Sequence, residues 1–169
     1  MRAPYERSSP GWALAGLIFS LLAALLVQGA AARLFGGASL FPNLVLIALF
    51  IWSIKRPYFV APPVLLIVGL IQDLFTGGPF GVWALAYLVG FTAARDREAD
   101  GAGGEIGPMA VRFAALAALA QITAWAAGSV AIGAPAPLTG LIGETILTIL
   151  VCPLFAWAFA RRKERSSFM

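Results

Sequence analysis

The stretch Ser39-Leu40-Phe41-Pro42-Asn43-Leu44-Val45-Leu46-Ile47-Ala48-Leu49-Phe50-Ile51-Trp52-Ser53-Ile54-Lys55-Arg56 decides the class of fold. It is an apolar run with Pro42 near its start, where a missing amide proton costs least, and two cations at its end. The whole chain repeats this composition. Of its 169 residues 60% are hydrophobic and 12% charged, and the mean hydropathy is +0.88. A soluble domain carries about 45–50% apolar and about 25% charged residues. So much apolar surface does not fit inside one water-soluble core. Six spans of about 20 residues would take roughly 120 residues into lipid and leave about 50 outside. That excludes a sizeable extramembrane domain, and with it disorder, a collagen, a disulfide scaffold and a soluble enzyme.

Working outward from 39–54, five more apolar stretches cover about 11–32, 58–75, 79–94, 108–132 and 138–160. The expected fold is therefore an all-α integral membrane protein, one polytopic domain of about six transmembrane helices. Pro62 and Pro63 predict that the third stretch is either kinked or regular only after them. Charge sets the orientation. With both termini cytoplasmic, the short basic tails 1–10 and 161–169 and the inner loops hold ten of the twelve basic residues: Arg2, Arg7, Lys55, Arg56, Arg95, Arg97, Arg161, Arg162, Lys163 and Arg165. Arg112 snorkels near the inner end of the fifth span, and Arg33 alone falls outside. The net charge of +4 thus reads as topology and not as nucleic-acid binding. Arg2 and Arg7 ahead of an apolar segment ending in Ala30-Ala31-Ala32 also resemble a signal peptide, but the run from Trp12 to Val27 exceeds the usual 7–15 residues and is expected to stay as a span.

The rare residues limit the chemistry. The chain has no His and a single Cys, Cys152, so the common ligands of zinc, copper, haem and iron–sulfur centres are missing, as is the usual general base near neutral pH. No catalytic residue, cofactor or metal is expected, and Cys152 is read as a buried thiol. Within the spans stand Asp73, Glu144, Arg112, Gln28, Gln72 and Gln121, polar groups that lipid excludes unless they face protein or a cavity. Asp73 lies 17 residues after Arg56 and Glu144 lies 17 residues before Arg161. If both segments are regular helices, each acid sits about 26 Å from its inner anchor, at similar depth near the outer boundary, with Arg33 as the natural counterion for one of them. Three readings stay open: a structural ion pair, a proton or cation site, and a catalytic pair. The alanines of the fifth span, Ala110, Ala114 and Ala118 with Ala117, Ala120 and Ala124 nearby, mark it as a packing helix.

Between the third and fourth stretches runs Gly69-Leu70-Ile71-Gln72-Asp73-Leu74-Phe75-Thr76-Gly77-Gly78-Pro79-Phe80-Gly81. Physically it is a tight hairpin: an acid near the membrane edge, glycines that permit positive φ, and Pro79 preorganised for a first helical turn. A phosphate-cradling loop is excluded by the missing G-x-x-x-x-G-K pattern and the lack of nearby cations.

Gly69, Asp73, Gly77, Gly78, Pro79 and Gly81, with Pro42-Asn43-Leu44, Trp52 and Arg56-Pro57, resemble the family of the bacterial rod shape-determining protein MreD. Its members share a G-x-x-x-D-L…G-G-P-x-G hairpin. Phe80 departs from it, since the family often has Leu there. The motif-bearing match covers about residues 42–90, while length, span order and basic tail agree over the whole chain. The resemblance implies a non-enzymatic, multi-pass component of the bacterial inner membrane that maintains rod shape within the cell-elongation and peptidoglycan-synthesis machinery. It implies a periplasmic MreC-like partner, the hairpin as a contact site, and a bundle similar to the substrate-binding components of energy-coupling-factor transporters. From that likeness and the paired acids comes the alternative, a small solute-binding permease subunit using Asp73 and Glu144.

Overall fold

The computed structural model describes residues 10–34, 41–55, 57–95, 106–135 and 137–165. Among them are six α-helices and no strand: α1 (Pro10–Leu34), α2 (Leu44–Lys55), α3 (Pro62–Thr76), α4 (Val82–Arg95), α5 (Ile106–Ile132) and α6 (Leu138–Arg165). Each helix falls on one apolar stretch of the sequence, and the all-helical expectation holds.

The helix starts are set by local chemistry more than by hydropathy. Pro42 and Asn43 stay outside α2, and Asn43 caps it: Oδ1 accepts the Leu46 N–H at 3.0 Å. An Asn in this position satisfies one of the amides a helix start leaves unpaired. Pro57–Phe59 forms a 3₁₀ turn, and Ala61 is extended at φ −78° and ψ 155°. The helix then opens on Pro62 and Pro63, where absent N–H groups break no helical bond. Residues 57–73 are therefore not one regular helix, and the Asp73 depth of about 26 Å, which assumed one, does not apply. Glu144 to Arg161 does run within one helix, α6, which carries Pro153 internally.

Two helices are long and apolar enough to cross a membrane, over Gly11–Ala31 and Met109–Ile132. The helices over Leu44–Lys55, Pro62–Thr76, Val82–Ala94 and Leu138–Leu154 are apolar but shorter.

α1 packs on α2, α3 on α4, α4 on α5 and α5 on α6, and α2 also touches α6 while α1 touches α3. α2 lies at the centre: Val45, Leu46 and Leu49 have no exposure, and Ile47, Phe50 and Ile51 are buried. Phe50 packs against Phe113 of α5 in a tilted ring contact with centroids 4.9 Å apart. α4 packs between α3 and α5. At the seam to α5 the helices approach closely, since a Cβ on Gly90 would come within 3.3 Å of Ala120 Cβ. Of the alanines in α5, Ala117, Ala120 and Ala124 are buried, while Ala110 is exposed. The outside of the bundle is apolar as well. Trp12 and Phe19 of α1, Ile67 and Leu74 of α3, Val130 of α5 and Ile142 and Leu150 of α6 all stand exposed.

Candidate functional site

The hairpin 69–81 is built by three devices. The first is conformational: Gly77 at φ +70° ends α3 in the left-handed region, its N–H donating to the Asp73 carbonyl at 3.0 Å. Gly81 turns at φ +92°. A Cβ is strained in this region, so glycine is the natural occupant. The second device is electrostatic. The Asp73 carboxylate reaches across to the start of α4, Oδ2 accepting the Gly81 N–H at 2.8 Å and Oδ1 the Trp83 N–H at 3.1 Å. Gly81 O then accepts the Leu85 N–H at 2.9 Å as the first helical bond. A side chain of α3 thereby acts as an N-cap for α4, placing a negative charge at the positive end of that helix.

The third device is close approach. Gly69 lies one turn before Asp73 on the same face of α3. A Cβ there would come within 2.3 Å of Ala84 Cα and 2.4 Å of its nitrogen, so α3 and α4 touch backbone to backbone. Gly78 differs: its φ is not positive, and the nearest atom to a Cβ added there would be Thr76 Oγ1 at 3.8 Å. Nothing in the structure requires glycine at 78. Both carboxylate oxygens of Asp73 are thus engaged by backbone N–H groups. The expected pairing with Arg33 involves a side chain outside the described residues.

Beneath the hairpin lies a polar layer. Asn43, Gln72, Tyr87 and Thr148 are fully buried, with Gln121 at 2% exposure. The Tyr87 hydroxyl meets Asn43 Oδ1 at 3.2 Å and Gln72 Oε1. Asn43 N–H donates to Thr148 Oγ1 at 2.9 Å, and Thr148 donates to the Glu144 carbonyl at 2.7 Å. The Glu144 side chain faces Gln121 of α5, and Tyr87 links Gln72, next to Asp73, with Asn43, whose N–H meets Thr148 one turn after Glu144. The two acids therefore share one end of the bundle.

Asn43 Nδ2, Gln72 Nε2, Gln121 Nε2 and, on α1, Gln28 Oε1 make no hydrogen bond of regular geometry. One hydroxyl proton on Tyr87 serves one carbonyl oxygen. Turning the Gln72 amide lets its Nε2 donate to Tyr87 Oη while the hydroxyl donates to Asn43. Sequence reasoning singled out Gln28, Gln72, Gln121 and the two acids but passed over Tyr87 and Thr148. Their hydroxyls stand among apolar neighbours, and only the alignment of α4 and α6 with Gln72 and Asn43 brings them together.

Trp52 donates from Nε1 to Ser20 Oγ at 2.9 Å and ties α2 to α1. Beside this bond an almost wholly apolar groove of about 370 Å³ runs between the two helices. Among the described residues no three of His, Cys, Asp and Glu come together as a metal-binding group, and Cys152 is a buried free thiol. The arrangement as a whole joins helices, Asp73 through backbone N–H groups of α4 and Tyr87 through the side chains of Asn43 and Gln72.

Compared with known protein families, curated proteins and solved structures, the chain has no significant match. The likeness to the MreD family rests on the residues quoted above.

Proposed function

We propose that this chain is a multi-pass protein of the bacterial inner membrane, a non-enzymatic component of the cell-elongation machinery that maintains rod shape through contacts made within the membrane. The membrane part is supported by an apolar exterior around an apolar core. Exposed Trp12, Phe19, Ile67, Leu74, Val130 and Leu150 would aggregate in water and are matched to lipid. The asymmetry of the basic residues supports inward-facing termini. The shorter helices reach across with the help of their flanking turns or by local thinning of the bilayer.

The observation that carries the cell-elongation reading is the hairpin. Gly69, Asp73, Gly77 and Gly81, residues through which the chain resembles MreD, each have a physical task in fixing one rigid α3–α4 unit. A rigid, membrane-edge hairpin with exposed Leu74 and Phe80 suits a coupler that meets an MreC-like periplasmic partner. Depleting the protein in its rod-shaped host should round the cells, and an MreC-like protein should copurify with it. Unchanged morphology without such a partner sinks the proposal.

A solute-binding permease subunit is a second reading, favoured by the unpaired Asn43 amide beside Tyr87 and the Glu144–Gln121 pair. Asp73 is occupied by backbone amides, so Glu144 would carry any ligand contact. A solute that stabilises the detergent-solubilised protein, with affinity weakened by Glu144→Gln, would favour this reading over the first.

A further inference from the structure

A second groove, of about 300 Å³, opens between the last turns of α4 and the first turns of α5. Gly90, Ala93 and Ala94 line it from α4, and Arg112, Ala115 and Leu119 from α5. Small side chains on both helices leave this furrow unfilled, although the same pair of helices is in close contact at Gly90 and Ala120. Arg112 lies six residues into α5, about 9 Å along the helix, inside a segment otherwise apolar enough to cross a membrane. The five N–H donors of its guanidinium form a fork that matches phosphate oxygens. That many donors leave room for a ligand beside any protein partner.

We infer that this groove holds a phospholipid, with its phosphodiester on Arg112 and an acyl chain lying along Gly90, Ala93 and Ala115. The inference rests on the membrane part of the proposed function and not on the cell-shape part. Cationic pockets between spans at the cytoplasmic face are known to hold lipid head groups, and the inward orientation of the termini puts the end of α4 and the start of α5 at that face. The sequence after α4 mixes Arg95 and Arg97 with Asp96, Glu98 and Asp100. That segment of the sequence carries no surplus of cations, so the phosphodiester and not a net-anionic lipid is what Arg112 selects. The apolar walls select a chain-bearing ligand over a free anion.

The full-length protein, extracted in mild detergent, is offered phosphatidylethanolamine, phosphatidylglycerol, diacylglycerol of the same chains, or inorganic phosphate, and retained molecules are read by native mass spectrometry. Wild type should keep either phospholipid at least about fivefold over diacylglycerol, the effect of one favourable Arg–phosphate contact. Arg112→Gln should bring that ratio close to one. Ala93→Leu, which fills the groove from an exposed position and leaves Arg112 in place, should lower phospholipid retention severalfold. Equal retention of diacylglycerol by wild type, or unchanged phospholipid retention in Ala93→Leu, overturns the inference even if Arg112→Gln does not fold. Phosphate bound as well as phospholipid would make this an anion site and overturn the lipid assignment. A chain that stays soluble without detergent removes the membrane reading together with this one; normal extraction without lipid preference removes this one alone.

Discussion

At Asp73 one carboxylate satisfies two amides of the neighbouring helix. Asp73→Ala leaves the Gly81 and Trp83 N–H groups without that acceptor, and hydrogen bonds to a charged group contribute about 1.5–3 kcal/mol each. We expect a loss of about 2–5 kcal/mol, read as a lower thermal midpoint in detergent, and failure to complement a depletion strain. Asp73→Asn keeps one acceptor oxygen and should lose about half as much. Glu144→Ala should be milder, because its carboxylate, unlike that of Asp73, caps no neighbouring helix. Full rescue by Asp73→Ala would take this residue out of the functional set.

Gly69 and Gly78 offer a sharper contrast, since both belong to the motif but only the first is crowded. Gly69→Ala forces α3 and α4 apart and should cost at least about 1–3 kcal/mol, whereas Gly78→Ala should leave the midpoint unchanged. If the two substitutions cost the same in detergent, the backbone contact at Ala84 is not what the first glycine serves. The sequence carries both glycines in one hairpin motif, and local pattern does not show that only Gly69 is crowded. The difference arises from which face of α3 meets α4, a tertiary fact.

Among the elements, α2 shows how a short helix at the centre of the bundle is held at its start. Asn43 caps it, receives Tyr87 and donates to Thr148, so three helices meet at one side chain and its amide. Loss of an N-cap costs about 1 kcal/mol on its own. Asn43→Ala also removes the Tyr87 contact in a buried setting, so we expect about 2–3 kcal/mol in total. Tyr87→Phe removes only the hydroxyl link and should cost less. If Tyr87→Phe costs as much as Asn43→Ala in the same melting measurement, the cap adds nothing and the link is the whole effect.

Element by element, the number and order of helices were legible because each apolar run is long and bounded by prolines, glycines or charges. The starts of α2, α3 and α4 were not, lying three to five residues inside the apolar runs. Hydropathy counts Phe41, Tyr58 and Phe80 as span-like, while the prolines beside them and the Asn43 cap decide where regular hydrogen bonding begins. The depth of Asp73 failed for the same reason, the 3₁₀ turn and extended Ala61 interrupting the segment along which it was reckoned.

For the whole molecule the decisive quantity is orientation. If the exterior is matched to lipid and the basic residues face inward, Gly78 at the tip of the α3–α4 hairpin lies outside the inner membrane and Lys55 at the end of α2 lies inside. Cys152 is the one cysteine of the chain and is buried, so Cys152→Ser gives a clean background at the cost of a small buried polar change. Gly78→Cys should then react with a membrane-impermeant maleimide in cells whose outer membrane is opened. Lys55→Cys should react only after lysis. Both positions are exposed on the protein, so protection of either one reports the bilayer and not the fold. The reverse pattern would invert the topology and move the α4–α5 groove with Arg112 to the outer face. Labelling of both in intact cells would deny that the inner membrane separates them, and the apolar exterior would then need a protein partner in place of lipid.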